Sequence, residues 1–133
     1  MSCIFCKIIA GEIPSYKVYE DENTLAFLDI NPVNPGHTLV ISKKHVAKIE
    51  EASEEILCQA VKTVKKVGLS LKNNLAAPGY NVLMNNDPAA GQIVPHLHFH
   101  VVPRRENDDL SSWPHGRYET GQAEAVLNKI KII

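Results

Sequence analysis

Hydrophobic and polar residues along this chain fall into two periods, and the periods predict its elements. Residues 16–20, Tyr-Lys-Val-Tyr-Glu, alternate as a half-buried strand does. A turn at 21–23 leads to a second strand over 24–30, which makes the pair a hairpin. Asn31-Pro32-Val33-Asn34-Pro35-Gly36 reads as a rigid loop. A third strand then runs from His37 or Thr38 to Ser42 and is ended by Lys43-Lys44-His45. From Ser53 the period changes. Leu57, Val61, Val64, Val67 or Gly68, Leu71 and Leu75 recur at helical spacing, which predicts one long amphipathic helix over 53–74. Ser53 can cap it, Glu54 and Glu55 suit its first turn, and Pro78-Gly79 stops it. Cys58 falls within this pattern as a small core residue. Residues 80–85 make a fourth strand and 86–92 a loop. Residues 108–121, with Trp113-Pro114, read as an irregular surface segment, and 121–131 as a weak helix through Ala125, Leu127 and Ile130.

The last predicted strand is unlike the others. In Pro95-His96-Leu97-His98-Phe99-His100-Val101-Val102, three histidines alternate with bulky apolar residues. Side chains on a strand point to opposite faces in turn. His96, His98 and His100 therefore share one face, while Leu97, Phe99 and Val101 enter a core. Pro95 and Pro103 bracket the run, as prolines do at strand ends. Imidazole titrates near neutrality and serves as base, nucleophile or metal ligand. Three on one sheet face mark this strand as the candidate active site.

Composition narrows the class. With 133 residues, 44% hydrophobic and 22% charged, the chain is expected to form one domain over 1–133 with a real core. A net charge of −1 and a pI near 6.6 give no reason to expect a nucleic-acid or membrane-surface binder. The pairs Lys43-Lys44, Lys65-Lys66 and Arg104-Arg105 read as solvated faces. There is no transmembrane-length apolar run, and Lys7 interrupts the short apolar stretch at the N-terminus, so no signal peptide is expected. Cytoplasm, or another reducing compartment, is the expected location. Three cysteines suit it better than a disulfide framework. Cys3 and Cys6 form a Cys-x-x-Cys near the N-terminus, open to three readings: a redox pair, half of a zinc site, or an unligated pair.

His96-Leu97-His98-Phe99-His100-Val101-Val102 resembles the His-φ-His-φ-His-φ-φ signature (φ apolar) of the histidine triad, or HIT, superfamily. Cys3-Ile-Phe-Cys6, Leu25-Ala-Phe-Leu-Asp29, Pro35-Gly-His37-Thr-Leu-Val40, Lys43-Lys-His45, Gly91-Gln92 and His100-Val-Val-Pro-Arg104 are similar to its Hint, or protein kinase C inhibitor-like, branch. The resemblance covers residues 3–105, leaving 106–133 as a C-terminal loop and short helix. It implies a HIT-like α+β fold: an antiparallel sheet of about five strands, one long helix and short terminal helices.

The same resemblance implies nucleotidyl transfer to water, with a purine nucleoside monophosphate such as AMP as the transferred group. His98 would attack the α-phosphorus and form a nucleotidyl-histidine intermediate. His100 would bind the phosphate oxygens, as would Asn85 and Gln92. Asp29 would accept from the ribose hydroxyls, Phe27 and Ile30 would hold the base, and His37 would support the triad from behind. Zinc-bearing members imply a closed structural site from Cys3, Cys6, His45 and His96, with no organic cofactor. The leading substrate class is a purine nucleoside phosphoramidate. Alternatives are a dinucleoside polyphosphate (Ap3A/Ap4A-type) hydrolase and a nucleotide-binding regulatory module with incidental hydrolysis. Ile93 stands where Hint-type members often carry a small hydroxyl residue, which puts amine leaving groups in question. Relatives imply a homodimer through the long helix and an adjoining strand, for which the Val61/Val64/Leu71 stripe is a candidate.

Overall fold

The computed structural model of the chain describes residues 2–111 and 113–133. Met1 and Ser112, which fall in the N-terminal motif stretch and in the 108–121 segment, lie outside the described residues. Helix α1 (Ile4–Ile9) precedes strands β1 (Lys17–Glu20), β2 (Thr24–Leu28) and β3 (Thr38–Ser42). Helix α2 (Glu54–Asn74), strands β4 (Gly79–Leu83) and β5 (His98–Arg104) and helix α3 (Gln122–Ile130) follow. The strands form one antiparallel sheet in the order β1-β2-β3-β5-β4. The α+β architecture, its five strands and its single long helix match the sequence reading.

The two faces of the sheet bury different residues, as strand alternation requires. Ala26, Val40, Phe99 and Val101 face α2 and pack with Val64, Val67 and Leu71. Leu25, Phe27, Leu39 and Ile41 face the other way, under Phe5 of α1. Because β5 pairs with β3 at Leu39↔His100 and Ile41↔His98, both histidines lie on the α1 face.

Helix α2 starts where its cap predicts: the Ser53 hydroxyl accepts from the Ile56 amide at 3.2 Å. Its buried stripe is Ala60, Thr63, Val64, Val67, Gly68 and Leu71. Val61 and Leu75 are exposed, and so is Cys58, which corrects its reading as a core residue. The stripe is rotated from the expected one because Ala, Thr and Gly take the closest approaches to the sheet. Val64 and Leu71 belong to this core and are unavailable as a dimer face. A Cβ at Gly68 would lie 2.4 Å from the Tyr80 ring, so this mid-helix glycine makes room for β4. Thr63 also bonds Thr24 across the buried interface at 2.7 Å.

Several strand boundaries differ from expectation, and β4 ends at Leu83 rather than at 85. β2 ends at Leu28, which leaves Asp29 and Ile30 in the loop, Ile30 with 78% of its surface exposed. β5 begins at His98, because the Leu97 amide bonds the Val46 carbonyl at 2.7 Å instead of joining the ladder. Pro103 lies inside β5 rather than ending it. Pairing with β3 stops at Val101, and the Pro103 carbonyl on that side takes the Asn34 side chain at 2.9 Å. Its missing N–H therefore falls where no strand needs it. Among the described residues no helix is long and apolar enough to cross a membrane, and no buried side-chain nitrogen or oxygen lacks a partner.

Candidate active site

Three backbone carbonyls and amides decide what each histidine on the α1 face can do. A neutral imidazole has one N–H and one lone pair, so fixing the role of one nitrogen fixes the other. His98 Nδ1 lies 2.6 Å from the His96 carbonyl, which can only accept. His98 therefore carries its proton on Nδ1 and keeps a lone pair on Nε2. Burial pushes its pKa below the usual imidazole range, so it is neutral at pH 7. The Phe5 ring stands edge-on against it, centroids 5.1 Å apart.

His100 has the opposite arrangement. The Val33 amide donates to His37 Nδ1 at 3.1 Å, so the His37 proton sits on Nε2. That nitrogen is 2.9 Å from His100 Nδ1, which must accept. His100 is left with its proton on Nε2, as a donor. Burial, then the neighbouring His98 and His37, push its pKa down to about 4. His37, 4% exposed, is likewise lowered by burial, against the pull of Asp29. Asp29 accepts from the Asn31 amide at 2.8 Å through Oδ1, while Oδ2 lies 3.6 Å from His37 Nε2. Asp29, His37 and His100 come close enough to suggest a metal site. Their hydrogen bonds argue against one, since His37 Nε2 has no lone pair to offer.

The third arrangement does fit a metal. His96 Nε2 donates to the Ser42 carbonyl at 2.7 Å, which turns the lone pair of Nδ1 toward Cys3, Cys6 and His45. Cys3 Sγ lies 3.4 Å from that atom, His45 Nδ1 3.1 Å, and Cys6 Sγ 3.3 Å from His45 Nδ1. With Zn–S of about 2.3 Å and Zn–N of about 2.05 Å, a tetrahedron has S···N edges of about 3.6 Å and N···N edges of about 3.3 Å. The donor set matches zinc in both chemistry and span. Burial, and the Cys3 thiol beside it, push the Cys6 thiol up. Two facing thiols resist ionising together, and a cation between them removes that obstacle.

The other predicted site residues are placed as follows. Asn85 lies two residues beyond Leu83, which pairs with His100, and its amide reaches the Gly91 carbonyl at 3.4 Å. Gln92 departs from its expected role. Its amide nitrogen is taken by the Ala47 and Val94 carbonyls at 2.7 and 3.1 Å and its oxygen by the Asp87 amide, so it braces the loop. Phe27, 4% exposed, packs edge-to-face on Phe5 and belongs to the core, leaving Ile30 as the exposed apolar candidate at the rim. Arg104 and Arg105 are not a solvated pair. Arg104 holds Asp108 through two bonds, and Arg105 bonds the Leu75 and Ala76 carbonyls after α2. Sequence reasoning missed Phe5, Asn34 and Asp108. Only the Asn-Pro-Gly turn at 34–36 gave any signal for them.

The chain is similar to known proteins over nearly its whole length. The HIT domain family profile matches residues 10–107. An uncharacterised HIT-like protein of Methanocaldococcus jannaschii is 50% identical over 97% of this chain and 98% of its own. The adenosine 5′-monophosphoramidase of Schizosaccharomyces pombe is 48% identical over 86% of this chain and 84% of its own. Among solved structures, a HIT family protein of Bacillus subtilis superposes with a TM-score of 0.88 at 41% identity, covering 98% of this chain and 95% of the other. A zinc-bound histidine triad family protein of Mycobacterium smegmatis gives 0.80 at 38% identity over 98% and 96%. With its histidine strand, its fold and its relatives in agreement, this chain belongs to the HIT family.

Proposed function

We propose that the chain is a nucleotide hydrolase that removes a nucleoside monophosphate, AMP above all, from an amine on its α-phosphate. The observation that carries this reading is the 2.6 Å bond from His98 Nδ1 to the His96 carbonyl, which leaves a neutral, lone-paired Nε2 beside a proton-bearing His100. The phosphoramidase relative at 48% identity supports the substrate class.

In the proposed reaction His98 Nε2 attacks the α-phosphorus, an Nε2–P bond forms, and the P–N bond to the amine breaks as its nitrogen takes a proton from solvent water and leaves as the neutral amine. The charge gained by the His98 ring is met by the His96 carbonyl. His100 Nε2–H donates to the phosphate oxygens as charge builds on them, the kind of preorganised contact that acts mainly in the transition state. Water then attacks the phosphorus of the nucleotidyl-histidine and gives up a proton to solvent, His98 leaves with its Nε2 lone pair restored, and AMP is released. Asp29 Oδ2 suits a ribose hydroxyl, Ile30 the base, and Asn85 a phosphate oxygen. Ile93, 91% exposed, has no proton to give, so poorly basic amine leaving groups are expected to depart fastest.

Cys3, Cys6, His45 and His96 would hold zinc, which supplies a structural cross-link there and takes no part in the chemistry. Its contribution is to pin α1, and with it Phe5, against His98. This donor set suits a reducing compartment such as the cytoplasm. The reading covers one HIT domain over 1–133 that acts as a homodimer without nucleic acid or membrane. The outer side of α2 and the free edge of β4, where Val61 and Val82 are half-exposed, are the surfaces that suit pairing. Light scattering at micromolar concentration measures that state.

The test is steady-state cleavage of adenosine 5′-phosphoramidates across a series of amines, with His98→Ala beside the wild type. Turnover by the wild type alone supports the reading. Faster turnover of a dinucleoside polyphosphate would change the leaving group while keeping the His98 chemistry. AMP binding with no turnover of either substrate would make the chain a nucleotide-binding module.

A further inference from the structure

His100 can donate to a phosphate only while its proton stays on Nε2, and that condition depends on a loop far along the chain. His100 Nδ1 must accept from His37, and His37 must present Nε2–H, which requires the Val33 amide on its Nδ1. The Val33 amide points there because the 33–37 turn is closed, with the His37 amide bonding the Asn34 carbonyl at 3.0 Å. Gly36 sits at φ +102°, where a Cβ would come within 2.6 Å of the Leu75 side chain, so the observed turn needs glycine there. What fastens it to the catalytic strand is the Asn34 side chain, whose amide reaches the Pro103 carbonyl at 2.9 Å and Asp108 Oδ2 at 3.1 Å.

Asp108 is built for that task. Its Oδ2 takes Asn34, Arg104 Nε at 2.8 Å and the Arg105 amide at 3.1 Å, and its Oδ1 takes Arg104 Nη2 at 3.0 Å and the Leu110 amide at 3.1 Å. Arg104 lies on β5 four residues past His100 and also bonds Asn81 on β4. The carboxylate therefore joins the 33–37 turn to the strand that carries both reactive histidines. We propose that Asp108, acting through Asn34, is a positioning residue that holds the Val33–His37–His100 chain and so keeps the donor proton on His100 Nε2. Its catalytic consequence rests on the hydrolase reading given above, whereas its structural consequence does not.

The experiment uses the full chain without substrate. Long-range 1H–15N correlation spectra at pH 7 report which ring nitrogen of His37 and His100 carries the proton. In the wild type both rings are expected as single Nε2–H tautomers. Asp108→Asn and Asn34→Ala, each checked for folding by circular dichroism, are expected to convert His100 to a mixture of tautomers. In phosphoramidate turnover both are expected to lower kcat about five- to tenfold with little change in KM. Arg105→Ala removes only the side-chain bonds to the end of α2, keeps the backbone amide on Asp108, and is expected to leave the ring signals unchanged. Unaltered ring signals in both folded variants would overturn the proposal, and so would an equal change in Arg105→Ala. Shifted ring signals in a protein whose wild type turns over no nucleotide would uphold the positioning and sink the hydrolase reading instead.

Discussion

The cluster around His96 and the cluster around His100 lie on one face of one sheet, separated by His98. Both bring three or four potential metal ligands together, yet only one has lone pairs to spare. Around His96, a carbonyl takes the outer ring proton and the inner nitrogen faces two thiols and a second imidazole. Around His100, a backbone amide occupies the outer nitrogen of His37, so the inner contact between rings is already a hydrogen bond. A carbonyl behind a histidine makes a ligand or nucleophile of its far side, and an amide makes a donor. Residue type alone does not separate a metal site from a proton-holding site here. The partner of the second ring nitrogen does.

The largest loss is expected at His98, between the two clusters. His98→Ala is expected to lower single-turnover cleavage by on the order of 10³-fold or more, the scale on which nucleophiles act. The same variant should retain zinc by elemental analysis, since the four ligands stay. Loss of metal together with loss of activity would merge the two clusters into one function.

Next in size is the metal side. Cys6→Ser, or chelation of the wild type, is expected to lower Tm by roughly 10 °C or more. A ligand at a thousandfold excess over its Kd contributes about 4 kcal/mol to the folded state, and about 1 kcal/mol moves Tm by several degrees in a domain of this size. Rate should fall less than stability, because Phe5 loosens while the tautomers of His98 and His100 keep their own partners. A chelated protein with unchanged Tm would remove the structural role.

On the donor side, His37→Ala is expected to reduce kcat about 10- to 100-fold, less than the roughly 10²–10³-fold for deleting a preorganised donor outright, because the His100 ring remains and loses only its fixed tautomer, with zinc retained. The pH dependence sharpens the point. With the His100 pKa held at about 4, and those of His98 and His37 also lowered, the acid limb of kcat/KM is expected below pH 6.5 rather than at it. In the same window the unfolded chain binds protons that the folded histidines refuse. Stability therefore falls as pH drops from about 6.5 toward 4, and the His100 contribution levels off below that. An activity limb at pH 6.5 would mean that these rings are solvated. The smallest effect on the two clusters is expected from Gly68→Ala, which lies in α2 on the opposite face of the sheet. Overpacking against Tyr80 destabilises by about 1–3 kcal/mol, offset in part by the better helix propensity of alanine. Thermal melts should show the difference, with zinc content and turnover unchanged.

Much of this was legible in the residues because it is local. Strand alternation placed Phe99 and Val101 opposite His98 and His100, and the Ser53 cap fixed the start of α2. Cys58 and Val61 were misplaced because a helical stripe can be drawn through either neighbouring face, and small residues chose the buried one. Gln92 was expected on phosphate, but carbonyls 45 and two residues away claim its amide. Asp108 and Asn34 are 74 residues apart, and nothing in the alternation of either segment marks their meeting. Periodicity reports which side a residue faces, whereas hydrogen bonds between loops depend on where the whole chain has brought them.

The most direct test of the central claim is to quench the wild type during a single turnover with an adenosine 5′-phosphoramidate and map the adduct by mass spectrometry. The account predicts an acid-labile AMP group on the peptide containing His98, attached at that ring. An adduct on His96 or His100, or turnover with none, would contradict it.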